Sequence, residues 1–276
     1  MTPMIGQHKL ISELNVYTTE TLPQAIMLLG PRGCGKHTLA ANLAERLEIE
    51  LLNVDPSIEP DELLEYQLWP NMRLYVLDFT DLLEKQQNKF LKFLEEYREN
   101  VRIVVLANSE VGILSTVLSR CVRFNFEPYT VEELSKLDWM SRVPAESLVY
   151  KICKTPGQLK LADQKVVNNL YNFCLELVSK NMSYNQFMSQ LTNINFAENY
   201  NKFDFENFFD MMSYVTLELY TKVNNIYYFN FYMITQRYIS MLSIINKPNR
   251  EQYMFNYFSA LWKEVKNECQ RIKESH

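Results

Sequence analysis

The sequence predicts an α/β front part built on a parallel sheet and an all-helical rear part, and three observations carry that expectation. Short apolar runs alternate with helical patterns through about the first half of the chain, the signature of strands joined by crossover helices. Glycine is absent after Gly157, which favours long helices with short turns over a β-rich second half. Composition also shifts: residues 1–165 carry 18 Lys and Arg against 23 Asp and Glu, whereas residues 166–276 balance at 10 against 10 and hold the densest aromatic runs.

Taken in order, the front part offers a strand at Ala25-Ile26-Met27-Leu28-Leu29 followed by a helix over residues 36–47. Leu51-Leu52-Asn53-Val54 and Leu74-Tyr75-Val76-Leu77 are the next apolar runs, the latter followed by a helix over residues 84–97. Val101-Arg102-Ile103-Val104-Val105-Leu106 is a buried strand, and Val122-Arg123-Phe124-Asn125-Phe126 a short closing one before Pro128. Thr130-Val131-Glu132-Glu133 has the form of a capping box opening a helix. Helical patterns follow, punctuated by Pro144, Pro156-Gly157 and Pro248. The expected division is a core over residues 1–129, a small helical lid over 130–165 and a helical bundle over 166–276. Phe208, Met211, Met212, Val215 and Leu219 repeat at helical spacing, as a packed face does, rather than interleaving with basic residues as a base-stacking surface would.

Composition narrows the function classes. Hydrophobic residues make up 47% and charged residues 22% of the chain, within the globular range, and no apolar stretch reaches the roughly 20 residues of a membrane span. The N-terminus lacks the basic start and apolar core of a signal peptide, so a cytoplasmic, membrane-free setting is expected. The five cysteines lie far apart with no C-x-x-C pair, which speaks against zinc and against a disulfide framework. The net charge of −5 argues against a broad basic surface.

One segment carries chemistry outright. Gly30-Pro31-Arg32-Gly33-Cys34-Gly35-Lys36-His37-Thr38 follows an apolar strand and opens an amphipathic helix, the context a Walker A phosphate loop needs. Its glycines let backbone N–H groups turn toward phosphates, the helix N-terminus adds a favourable dipole, and Lys36 reaches the β and γ phosphates. His37 departs from the pattern, which places a Ser or Thr hydroxyl on Mg2+ there; imidazole is a poor ligand for that hard ion, and Thr38 points about 100° away on the helix. Asp78 ends a Walker B-like strand, but Phe79 stands where an ATPase carries the acid that activates water, and Asp81 is three positions removed. Asn108 ends a buried strand within reach of a γ phosphate, and Arg120 lies between a helix and a strand. The expected ligand is therefore ATP or ADP, with Mg2+ held weakly or not at all.

The order of these pieces resembles the AAA+ clamp-loader subunits, which place ring-shaped sliding clamps on primed DNA. Ile5-Gly6-Gln7 looks like the family's N-terminal box against the adenine, and Leu22-Pro23-Gln24-Ala25 like its lead-in to the Walker A strand. Gln87-Asn88-Lys89-Phe90-Leu91-Lys92-Phe93-Leu94-Glu95-Glu96 is similar to its Gln-Asn-x-Leu-Leu-Lys-x-Leu-Glu-Glu helix, and Asn108 occupies its sensor 1 place. Ser119-Arg120-Cys121 matches its Ser-Arg-Cys motif, whose arginine reaches the γ phosphate of the adjacent subunit. Lys154-Thr155-Pro156-Gly157-Gln158-Leu159-Lys160-Leu161-Ala162 looks like its sensor 2 stretch without the arginine of active members.

Within that family the chain is most similar to the delta-prime subunit of bacterial DNA polymerase III or a phage counterpart, which combines an impaired site with an intact Ser-Arg-Cys motif; the four-cysteine zinc module of bacterial members is missing. The resemblance implies an α/β P-loop AAA+ module with a small helical lid and an all-α collar. It implies a nucleotide site at Ile5, Gly6, Gln7, Gly30, Gly33, Gly35, Lys36, His37, Thr38, Asp78 and Asn108, and an arginine finger, Arg120, acting in trans. Expected partners are other AAA+ clamp-loader subunits in a hetero-oligomeric ring, a sliding clamp and primer-template DNA. The expected function is a structural, non-hydrolysing clamp-loader subunit; the alternatives are an active loader ATPase of the gamma/tau or small-subunit type and an AAA+ scaffold in signalling or defence.

Overall fold

In the computed structural model, described for residues 3–65, 68–80, 82–96, 98–140, 143–178, 183–193, 205–241 and 250–274, the chain divides into two compact units. The first comprises residues 1–145 together with 155–158, and the second residues 146–154 and 159–276.

Five strands form the first unit's sheet: β1 (Ala25–Leu29), β2 (Glu50–Val54), β3 (Arg73–Asp78), β4 (Val101–Ala107) and β5 (Val122–Asn125). Their order is β2-β3-β4-β1-β5 and every pairing is parallel. Seven α-helices accompany them among the described residues: α1 (His8–Asn15), α2 (Lys36–Arg46), α3 (Pro60–Glu65), α4 (Glu84–Lys89), α5 (Leu91–Glu95), α6 (Ser115–Leu118) and α7 (Val131–Ser135).

The period-2 geometry of strands sorts the apolar runs onto two faces. Ile26, Leu28, Leu74, Val76, Val104 and Leu106 pack with Leu10 and Leu14 of α1 and Leu39, Ala40, Leu43 and Ala44 of α2. Ala25, Met27, Leu29, Tyr75, Leu77, Ile103 and Val105 pack on the other face with Phe90, Phe93, Leu94 and Val117. Strands buried on both faces read as near-continuous apolar runs rather than alternating ones, which is why β1 is wholly apolar and β4 is apolar apart from Arg102. This is the expected α/β core, a parallel sheet covered by helices on both faces.

The expected helix over residues 84–97 is instead two short ones. Phe90 N–H donates to the carbonyl of Gln87, three residues back, tightening the turn where α4 meets α5 and turning Phe90 into the core. Gln87 is fully buried, and its amide ties three backbone groups: Nε2 donates to Leu82 O at 3.0 Å and Gly112 O at 2.7 Å, while Oε1 accepts from Leu114 N at 2.9 Å. Gln87→Leu strands those groups in the interior and is expected to cost about 2–3 kcal/mol, read as a lowered denaturation midpoint at unchanged slope. The capping box forms as expected: Thr130 Oγ1 accepts from Glu133 N, and Glu133 Oε2 accepts from Thr130 N at 2.8 Å.

The second unit is helical throughout its described residues: α8 (Leu148–Ile152), α9 (Pro156–Leu161, whose first turn belongs to the first unit), α10 (Gln164–Val178), α11 (Tyr184–Asn193), α12 (Phe205–Val223), α13 (Ile226–Met241) and α14 (Arg250–Glu274). The turn from α12 to α13 is made by two asparagines. Asn224 takes the left-handed conformation that asparagine tolerates at a helix end, and Asn225 Oδ1 accepts from Tyr227 N at 2.9 Å to cap the next helix. Phe208, Met211, Met212 and Val215 are buried and Leu219 half-buried, the packed face that their spacing predicts. Of the aromatic run over residues 227–232, Tyr227 and Phe231 are fully buried. Among the described residues no helix is long and apolar enough to cross a membrane. Asp81, Tyr97 and Pro248 lie outside the described residues.

Cys34, Cys121, Cys153 and Cys174 are buried and Cys269 is exposed. Burial pushes the Cys121 and Cys153 thiols up to about 12, leaving almost no reactive thiolate near neutrality. A disulfide-exchange reagent is therefore expected to titrate one thiol rapidly in the native chain and all five after denaturation; more than one fast thiol would contradict the burial pattern.

Candidate functional site: the phosphate loop and the Arg120 segment

The loop between β1 and α2 owes its shape to glycine. Gly33 and Gly35 have φ of 79° and 105°, a backbone region that glycine alone visits cheaply. Within this bend every carbonyl from Gly30 to Cys34 has a partner. Lys36 Nζ donates to Gly30 O at 2.5 Å and Pro31 O at 3.2 Å, and Pro31 O also accepts from Cys34 N. Thr155 Oγ1 donates to Arg32 O at 2.9 Å, Gly157 N–H to Gly33 O at 2.9 Å, and Tyr129 Oη to Cys34 O at 2.7 Å. The loop is thus braced through its carbonyls by the lysine, by the segment after β5 and by the first residues of α9.

Lys36 is 7% exposed and also donates to Asn108 Oδ1 at 3.1 Å, so β4 and α2 converge on one amine. Burial lowers its pKa, while Cys34 and Asp78 act to raise it. Asp78, at the carboxyl end of β3, is pulled up by burial, but hydrogen bonds from Thr80 and His37 outweigh that and hold it below the ordinary carboxylate value. Its Oδ1 accepts from Thr80 N at 2.9 Å, and His37 Nε2 donates to its Oδ2 at 3.3 Å.

Mg2+, the ion that such loops ordinarily hold, is not matched by these side chains. The pair His37–Asp78 presents an imidazole where an oxygen donor is required, and Mg2+ demands near-octahedral oxygen ligation. Among the described residues no group of three or more His, Cys, Asp or Glu is placed to hold a metal ion. The residue after Asp78 is equally unhelpful to hydrolysis. Phe79 is 2% exposed and packs against Phe90, with ring centroids 5.4 Å apart, so its position is a core position and not one facing the loop.

The N-terminal segment closes the same neighbourhood. Gln7 is buried in the left-handed conformation and pairs with Glu127 as a strand neighbour would, Nε2 donating to Glu127 O at 2.7 Å and Oε1 accepting from Glu127 N at 2.9 Å. Gly6, at φ 59°, lies in the left-handed region that glycine adopts most readily, and an added Cβ would displace the end of the Glu133 side chain, whose Oε1 is 2.7 Å away. Ile5 and Thr38 are half-buried. The N-terminal box, loop, Asp78 and Asn108 therefore gather around one end of the sheet, whereas Arg120 belongs to a separate group. Its Nη2 donates to Glu95 Oε1 at 2.5 Å and its Nη1 to Thr116 O at 2.5 Å, so α5 and α6 hold the guanidinium. Lys89 and Lys92 pair with Glu59 and Glu96, and Lys160 is exposed.

Comparison with known proteins adds a family context. A family model described as "DNA polymerase III, delta subunit" matches residues 62–130. Replication factor C subunit 3 of Saccharomyces cerevisiae is 26% identical over 148 residues, 48% of this chain and 44% of that protein. The sliding-clamp-loader large subunit of Escherichia phage RB69 is 28% identical over 160 residues, 53% of this chain and 48% of that one. The chain is similar to clamp-loader subunits. It spans about half the length of these curated relatives. Among solved structures, the Thermotoga maritima RuvB Holliday junction branch migration motor aligns over 80% of this chain and 77% of its own at 14% identity, with a TM-score of 0.46.

Three contributors to this geometry were not anticipated as site residues: Tyr129, Thr155 and Glu95. Tyr129 and Thr155 act on carbonyls far away in sequence, so no local spacing announces them. Glu95 belongs to the motif-like stretch over residues 87–96, but its partner is fixed only when α5 meets the segment after α6.

Proposed function

We propose that this chain is a non-hydrolysing subunit of a sliding-clamp loader acting in DNA replication, most similar to delta-prime, and that its working residue is Arg120, aimed at nucleotide bound by a neighbouring subunit. The supporting observation is the asymmetry between two groups of residues. On the phosphate-loop side, the place of the water-activating acid is taken by Phe79, sunk in the core. On the other side, the Arg120 guanidinium is held by Glu95 and Thr116 O. An arginine that meets a transferring γ phosphate stabilises charge as it develops, and it needs no catalytic chemistry from its own chain. Partners would be other AAA+ subunits, a clamp and primer-template DNA, and the division into core, lid and collar would serve ring assembly.

Co-purification from the native host followed by mass spectrometry tests the assignment. Recovery of AAA+ subunits, a clamp and a polymerase is expected; a reproducible set without replication proteins would move the chain to a signalling or defence scaffold. The purified chain alone should show no ATP turnover above background, and turnover abolished by Lys36→Ala would restore the active-ATPase alternative.

Glu95 is a positioning residue in this scheme. Glu95→Gln removes the charge that orients Arg120 and is expected to lower turnover at the neighbour's site by about 10-fold, because a small misplacement of a charge-stabilising group is costly. Glu96→Gln, at a carboxylate that pairs with Lys92 and Arg98, is the matched control and should leave turnover unchanged.

A further inference from the structure

We infer that the phosphate loop binds a nucleoside di- or triphosphate without a divalent cation, the contact between His37 and Asp78 standing where the ion would be held. This goes beyond a weakened Mg2+ site: nucleotide affinity itself becomes independent of the metal. The inference rests on the loop having kept its ligand, and it stands apart from the role of Arg120.

Two independent observations carry it. The first is the engagement of both carboxylate oxygens of Asp78. Oδ1 accepts the Thr80 amide at 2.9 Å and Oδ2 the His37 ring nitrogen at 3.3 Å. Metal ligation at Asp78 Oδ2 would have to share that oxygen with the His37 ring and leave an imidazole as the next neighbour of a hard, oxygen-seeking ion. The contact is also accessible, with side-chain exposures of 62% for His37 and 43% for Asp78, so the ring borders the space a ligand would enter.

The second observation is that the cradle does not need an ion to hold its shape. The carbonyls of Pro31, Arg32, Gly33 and Cys34 each accept from a donor other than Lys36, so these contacts remain when the amine turns from Gly30 O to a phosphate. A loop braced in this way keeps its curvature before any phosphate arrives, which lowers the ordering cost of binding. Phosphate charge is then met by the loop amides, the positive end of the eleven-residue α2 and the Lys36 amine, with the rim of the His37 ring alongside. In a loop that uses Mg2+, the ion supplies a large part of that compensation, so removing it weakens binding.

The test is calorimetric titration of the full chain at neutral pH with ADP and with a non-hydrolysable ATP analogue, each in excess Mg2+ and in excess EDTA. Dissociation constants that agree within about 2-fold between the two buffers are expected. His37→Thr, which restores a hydroxyl and frees Asp78 Oδ2, should gain a tightening by Mg2+ of about 10-fold, and the further change Asp78→Asn should abolish that gain. Circular dichroism of each variant establishes that it is folded. A tightening by Mg2+ of about 10-fold or more in the unaltered chain would overturn the inference, as would the absence of binding in both buffers. Either failure leaves the Arg120 assay standing, because that assay reads nucleotide on another subunit.

Discussion

Arg120→Ala is expected to reduce ATP turnover at the neighbouring site of the assembled complex by about 1,000-fold, the lower end of what arginine fingers contribute to phosphoryl transfer. The magnitude follows from where the charge is used. Negative charge spreads over the equatorial oxygens of the transferring phosphoryl group, and a guanidinium held in a site shielded from water stabilises it without reorganising. Arg120→Lys should recover little, since an ammonium lacks the planar fork that meets two oxygens at once. The measurement is single-turnover hydrolysis in a complex in which only the site facing Arg120 retains a functional Walker lysine. Unchanged turnover there would refute the role in trans. Loss of assembly, checked by size-exclusion chromatography, is a separate outcome that would make Arg120 an interface residue instead.

Gly33→Ala is expected to cost about 2–5 kcal/mol of stability, from two sources that can be separated. A side chain at φ 79° carries left-handed backbone strain of about 1–2 kcal/mol. The new Cβ would also lie 2.9 Å from the Gly157 Cα and 2.9 Å from Thr155 Oγ1, and overpacking of that kind costs about 1–3 kcal/mol. Gly112 is the internal control: its φ is 84°, yet nothing lies within 4 Å of an added Cβ, so Gly112→Ala carries only the strain. Gly157→Ala has the complementary defect, a Cβ 2.6 Å from the Gly33 Cα without positive φ. Urea titrations of the three variants should rank Gly33→Ala as the most damaging. Equal losses at Gly33 and Gly112 would show that the approach of the two glycines contributes nothing.

Much of the fold was legible because its signals are local. The apolar runs of β1 and of β4 after Arg102 are long enough to identify strands covered on both faces, and the glycine spacing around Lys36 has few uses other than a phosphate loop. The capping box at Thr130 was equally readable, since both of its hydrogen bonds join residues three apart. The helix expected over residues 84–97 was less well read. Its periodicity is helical throughout, and the tight turn at Phe90 depends on the core that Phe90 enters and on the three backbone groups that Gln87 reaches across the fold.

Phe79 illustrates the boundary within the site itself. From the sequence it is an absent acid; in the structure it is a core side chain against Phe90, so the position is occupied by packing as well as stripped of chemistry. His37 shows the same division, a missing hydroxyl in the sequence and a partner of Asp78 in the fold.

The α/β order of the first unit, the helical character of the second, the phosphate loop with its lysine and the two substitutions that mark it are all readable from the amino-acid order. Those features reside in periodicities of two and 3.6 residues and in residue types a few positions apart, where the chain's own covalent geometry sets the distances. It takes the folded chain to show that Thr155 and Gly157 brace the loop from more than a hundred residues away, that Glu95 holds Arg120 and that His37 meets Asp78. Such contacts depend on how separate elements stack, and stacking is settled by burial summed over whole faces, which no short stretch of sequence contains.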